Sequence, residues 1–176
     1  TTPTIRAEVN RPDAIDVLFA GGGLTGSGGH PVDVVEPLVA RGSWSAADGD
    51  GGFYFAIDDA ADLAASWPAI RAQPRDFLKT YLLYSEEYER RRADEATRGW
   101  RGLDPALLPE IVRRAHAEGW RVATHVESAA DFRNALAAAA CAVAADIPPA
   151  AISRGLSEFR PYTGRHQVKV LKSGAT

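Results

Sequence analysis

Leu103–Val126, LDPALLPEIVRRAHAEGWRVATHV, decides the fold class. Asp104 suits a helix N-cap, Pro105 the first helical position and Gly119 the stop. Leu108, Ile111, Val112 and Ala115 recur at helical spacing and make one apolar face. Directly after Gly119 comes Trp120–Val126, WRVATHV, which reads as a strand. Upstream, Phe77–Leu83, FLKTYLL, is strand-like and aromatic, and Ile15–Ala20, IDVLFA, reads as a buried strand. Asp58–Gln73 between them predicts a helix, broken or kinked at Pro68. Residues 85–102 are highly charged and read as loop or helix. Downstream, Ser128 and Asp131 form a capping box that opens another helix. IPPAAISRGLSEF then reads as a shorter helix and HQVKVLKSG as a strand-like tail. Strands alternating with helices argue for an α/β fold with parallel strands. In such folds functional residues gather at the carboxyl ends of the strands.

The 176 residues give room for one domain and one sizeable core. Twenty basic and 23 acidic residues leave a formal charge of -3, which gives no bulk drive toward nucleic acid or an anionic membrane. The run Arg90-Arg91-Arg92 is flanked by acids and reads as a solvated surface. The single cysteine, Cys141, excludes an internal disulfide, and its setting AAAACAVAA suits a buried small residue. No apolar run approaches the roughly 18–20 residues of a membrane span. No signal peptide pattern is visible, so a cytoplasmic location is expected.

Gly21, Gly23 and Gly26 spell G-x-G-x-x-G within AGGGLTGSGGHP. A dinucleotide loop needs a helix directly after its last glycine, so that the helix N-terminus holds the pyrophosphate. Gly28, Gly29, His30 and Pro31 follow instead and predict no immediate helix. A phosphate P-loop fails too, because no Lys-Ser/Thr follows the glycines. The pattern predicts a long, flexible loop at residues 21–31, with a second loop at Gly49–Gly52.

Two strand positions carry candidate chemistry. Lys79 within an apolar strand must be paired, be modified or reach solvent, since burying a lone ammonium is costly. An edge-strand lysine is the plainer alternative. His125 ends its strand, where an imidazole serves either as a structural hydrogen-bonding group or as a metal ligand. His30 either faces the same strand-end site or fixes its loop. His116 lies on a helix, and nothing assigns His166 a role.

GGGLTGSGGHP (21–31), DFLKTYLLYSEEY (76–88), GLDPALLPEIVRRAHAEGWRVATHVES (102–128) and ADFRNALAA (130–138) together resemble the amidohydrolase superfamily. The likeness is to its imidazolonepropionase- and prolidase-like branch and runs from about 15 to 137. It implies a (β/α) barrel with one or two divalent metals, usually zinc, at the strands' carboxyl ends. Metal-bound hydroxide in that family attacks a C–N or ester-like bond. By this resemblance Lys79 is a metal ligand, carboxylated in many members, and His125 is a second ligand; both are the catalytic residues. His30, Tyr81 and Tyr84 would face a small amide-type substrate. The family's H-x-H pair, its later histidine and its last-strand aspartate are absent from this sequence. A full barrel takes about 250 residues, so the chain is expected to form a half-barrel and to self-associate through exposed strand edges. The missing ligands would then come from another copy or another chain.

Residues 134–176 instead resemble the central domain of Mur-type ligases, closest to the UDP-N-acetylmuramoyl-alanine–D-glutamate ligase kind. The shared pattern is NALAAAA, a proline break, a helix ending in L-x-x-F, and a turn at Gly164-Arg165 before a strand. The expected organisation is therefore a partial (β/α) barrel over 1–133 and a helical segment with a terminal strand over 134–176. FRNALAA suits both patterns, as a designed chimera, a natural fusion or an assembly of fragments would. The ligase-like part lacks a P-loop and magnesium-binding acids, so ATP-dependent ligation is not expected. A catalytically silent α/β scaffold is the alternative function, and a ligase-derived module the third.

Overall fold

A computed structural model describes residues 2–144. Four short parallel strands form one sheet: β1 (Gly23–Thr25), β2 (Tyr54–Ala56), β3 (Phe77–Leu82) and β4 (Arg121–Val126), in the order β2-β1-β3-β4. Six α-helices accompany them: α1 (Thr2–Glu8), α2 (Val32–Ala40), α3 (Ala60–Ala72), α4 (Tyr88–Ala93), α5 (Leu108–Ala117) and α6 (Ala129–Ala144). The α/β class and the parallel strands are as the alternation predicted. No described helix is long and apolar enough to cross a membrane.

Strand alternation sorts the residues by face. Leu24, Leu78, Leu82 and Phe55 point into the core, with Val122 and Val126 packed against it. From the other side α3 brings Leu63, Trp67 and Ile70, α5 brings Leu108, Ile111, Val112 and Ala115, and α6 brings Ala138. The alternate positions Lys79, Tyr81, Ala123 and His125 are not part of that core. The register pairs Lys79 with Ala123 and Tyr81 with His125, so these four lie side by side on the opposite face.

Ile15–Ala20 does not form the expected strand. Ile15 is 73% and Leu18 60% exposed. Asn10 and Asp76 hold the segment from outside the sheet: the Asn10 amide donates to the Val17 carbonyl, and Phe19 N–H donates to Asp76. The slot beside β3 goes to Gly23–Thr25, inside what the sequence reads as loop. The reason is steric. A Cβ on Gly22 would stand 2.6 Å from the Gly52 carbonyl oxygen, and one on Gly23 would stand 2.5 Å from the Tyr81 ring. Only glycine fits at positions 22 and 23, where the chain enters between β2 and β3.

Two further expectations change. α2 begins one residue after Pro31, so a helix does follow the glycines closely. The turn Gly26–Gly29 closes through a Gly29 N–H to Gly26 carbonyl bond of 2.8 Å and brings the chain round quickly. α3 runs through Pro68 unbroken, because Leu63, Trp67 and Ile70 hold both halves against the sheet. Other expectations stand with small adjustments. Asp104 caps a 3-10 turn, Pro105–Leu107, and the α-helix proper starts at Leu108. The capping box forms: Asp131 N–H donates to Ser128 Oγ at 3.0 Å, and Ser128 N–H donates to the Asp131 carboxylate at 2.9 Å. The boundary expected at 133/134 falls within α6. The later helix and strand-like tail, with Arg165 and His166, lie outside the described residues.

Candidate functional site

The sheet and the glycine turn converge at the carboxyl ends of β1, β3 and β4. His30 closes the turn, and its ring meets Tyr81 edge-on at a centroid distance of 5.2 Å. His125, beside Tyr81 in register, lies 5.4 Å from His30 and 6.0 Å from Tyr81. Lys79 is two residues before Tyr81, with Nζ 5.2 Å from the Tyr81 ring centre. The structure thus brings four of the five sequence-predicted site residues together. Tyr84 is not joined to them by a ring contact. It sits in the left-handed region at φ 52°, and its ring stacks against the Arg91 guanidinium at 3.9 Å.

Each histidine has a carboxylate on one ring nitrogen. His30 Nδ1 lies 2.9 Å from Asp33, in the first turn of α2. His125 Nε2 lies 2.7 Å from Glu127. In a neutral imidazole the ring nitrogen facing a carboxylate is the one that carries the proton and donates it, which leaves the other nitrogen, His30 Nε2 or His125 Nδ1, as the acceptor. All four side chains keep partial solvent contact, between 24% and 36%.

The remaining groups are drier. Tyr81 is 9% exposed, and burial pushes its phenol up. Burial pushes the Lys79 ammonium down, and no described carboxylate pairs with it. Thr25, on β1, is fully buried, and its hydroxyl has no hydrogen-bond partner among the described residues.

Sequence reasoning missed the supporting carboxylates. Asp33 follows His30 by three residues and Glu127 follows His125 by two, and that spacing was the available signal. Asp131 was legible as a cap, but it does more. Fully buried, its carboxylate accepts backbone N–H bonds from Tyr84 (3.1 Å), Ser85 (2.7 Å), Glu127 (3.0 Å) and Ser128 (2.9 Å). One side chain therefore ties the chain after β3 to the chain after β4.

The glycines pack against the protein itself. A Cβ on Gly26 would lie 2.6 Å from the Gly102 carbonyl oxygen, and one on Gly29 would lie 2.8 Å from that of Arg101. Their job is to let the turn seat against residues 101–102. Comparisons with protein-family profiles, with curated proteins and with solved structures find no match to this chain.

Proposed function

We propose that this chain carries the site of a metal-dependent amidohydrolase, built on a parallel α/β sheet and acting on the C–N bond of a small amide-type molecule. The observation that carries the reading is the meeting of His30, Tyr81 and His125 toward the strands' carboxyl ends, with Lys79 two residues earlier on the same face of β3 and each imidazole beside its own carboxylate. Carboxylates that hold the outer nitrogen of an imidazole are the usual companions of metal-binding histidines.

A barrel pairs its strands in chain order, and this sheet departs from that order: β1 pairs directly with β3, and the three-residue β2, which comes between them in the chain, lies on the outer edge beside β1. The core helices pack on one sheet face, while the other carries Lys79, Tyr81 and His125, as a barrel interior would.

A zinc-type ion takes about four donors. No group of three or more His, Cys, Asp or Glu side chains converges as a ligand set among the described residues. Two donors of the right chemistry lie diagonally on one sheet face: the His125 imidazole, and Lys79, whose amine becomes an oxygen donor once carboxylated. These two would hold the metal, with further ligands from another copy paired along the exposed strand edges. A divalent ion, when bound, would lower the pKa of its water toward neutral and would polarise the scissile carbonyl. Glu127 keeps His125 in one tautomer. His30 faces the substrate position with its free nitrogen, and Tyr81 lends a buried hydroxyl beside it. Tyr84 would contact the substrate farther out.

The test is elemental analysis of the purified chain beside His125→Ala. About one zinc per chain, lost in the variant, is expected. Absence of metal from both proteins, after incubation with zinc and bicarbonate, overturns the reading and leaves the silent α/β scaffold.

A further inference from the structure

Arg101 is among the few charged residues the fold buries, with 9% of its side chain exposed. Its guanidinium spans two parts of the chain. On one side Nε donates to the Ser27 carbonyl at 3.1 Å. On the other, Nη1 donates to the carbonyls of Arg91 (3.0 Å), Arg92 (3.2 Å) and Asp94 (3.2 Å), at the C-terminal end of α4. A cation there suits the negative end of the helix, and it joins Asp94 and Thr97, which also donate to the carbonyls of Arg91 and Asp94. Nη2 adds a looser contact to Glu95 at 3.7 Å.

The main chain of the same residue completes the link. The Arg101 carbonyl accepts the His30 N–H at 2.8 Å. Side chain and backbone of Arg101 thus grip residues 27 and 30, the two ends of the segment that presents His30. Gly99 N–H adds a bond to the Gly28 carbonyl at 2.8 Å. The seat has no slack, since a Cβ on Gly28 would collide with the Arg101 guanidinium. Beneath it, Leu103 N–H donates to the Tyr81 carbonyl at 2.8 Å, so the strap is anchored to the strand whose tyrosine His30 touches.

We infer that Arg101 is a positioning residue, whose fork of donors fixes the glycine turn and through it the place of the His30 ring against Tyr81 and His125. The importance of that placement rests on the proposed function; the placement itself does not. A lysine cannot replace the fork, because a single ammonium cannot span Ser27 on one side and three carbonyls on the other.

The experiment is long-range proton–nitrogen NMR of the histidine rings in the full chain, with His30 assigned through His30→Gln. In Arg101→Lys, with the fold retained by circular dichroism, the His30 ring peaks should move and the Asp33-held Nδ1 proton signal should be lost. His116, on α5, should not change. Glu95→Gln weakens the loose outer contact, and a second loose one to Arg98 at 3.5 Å, but leaves the Arg101 fork on its carbonyls and should leave His30 as it was. His30 peaks that superimpose on the parent's in Arg101→Lys overturn the inference. If Arg101→Lys does not fold, Gly28→Ala displaces the guanidinium from the turn side and must produce the same loss; unchanged peaks there overturn it equally. Zinc titration separates the two proposals. Zinc binding with an unmoved His30 refutes the positioning role alone, and a displaced His30 in a protein that binds no zinc refutes the hydrolase reading alone.

Discussion

Asp131 is the side chain whose removal should cost this fold most for its size. It is fully buried and accepts four backbone N–H bonds, from residues 84, 85, 127 and 128. A hydrogen bond to a charged group contributes about 1.5–3 kcal/mol. The four share one carboxylate, and desolvating that carboxylate offsets part of the gain. Removing the acceptor strands several donors at once, so Asp131→Ala should cost about 4 kcal/mol, within the 3–5 kcal/mol typical of breaking a buried charged network. Asp131→Asn keeps one oxygen and aims an amide at N–H groups, so roughly 2–3 kcal/mol is expected. Burial pushes the Asp131 carboxyl up, but hydrogen bonds from Ser85, Glu127 and Ser128 outweigh it and hold the group below the usual carboxylate range. The folded state therefore binds this proton less readily than the unfolded chain. The stabilisation is fully present above the unfolded value, about 3.9, and is lost as pH falls through the lower folded value. Urea unfolding of the parent and Asp131→Asn, at about pH 7 and again near pH 3, measures both quantities. The gap should shrink in acid. A gap below about 1 kcal/mol at neutral pH, or one that does not change with pH, refutes the reasoning.

Glu110 makes short bonds to Arg113 and Arg114 at 2.7 Å, and those hydrogen bonds hold its carboxyl down to about 2. Its side chain is nonetheless 36% exposed, so screening wins: Glu110→Gln should cost less than about 1 kcal/mol in urea, and added salt should shrink the difference. The paired change Ile15→Ser and Leu18→Ser should stay within about 0.5 kcal/mol of the parent, because both side chains face solvent. A loss of several kcal/mol would restore a buried strand at 15–20.

The readable parts of the fold were those written in local spacing. β3, β4 and α5 lie within a residue or a few of their predicted places, because period-two and period-3.6 patterns with caps and a stop glycine mark such elements. The Ser128–Asp131 box was readable for the same reason. Ile15–Ala20 misled because an apolar run signals burial only when the sheet has room for it. Gly23–Thr25 took that place because it could pass close to Gly52 and Tyr81. At the site, His125 and Lys79 were visible as polar residues in apolar strands. Asp33, Glu127 and Arg101 were not, because acids and arginines are ordinary on a surface and only their neighbours give them work.

By itself the sequence determined the α/β class, the parallel strands and the strand positions of Lys79, Tyr81 and His125. The elements follow from spacing between residues close in the chain, and the parallel class follows from their strand–helix alternation. Only the tertiary structure decided which segment lies beside β3, that His30 meets Tyr81 and His125, and that Arg101 and Asp131 tie together loops far apart in sequence. Those contacts depend on which surfaces pack without overlap and on where buried donors find acceptors. Neither quantity exists until the chain has closed on itself.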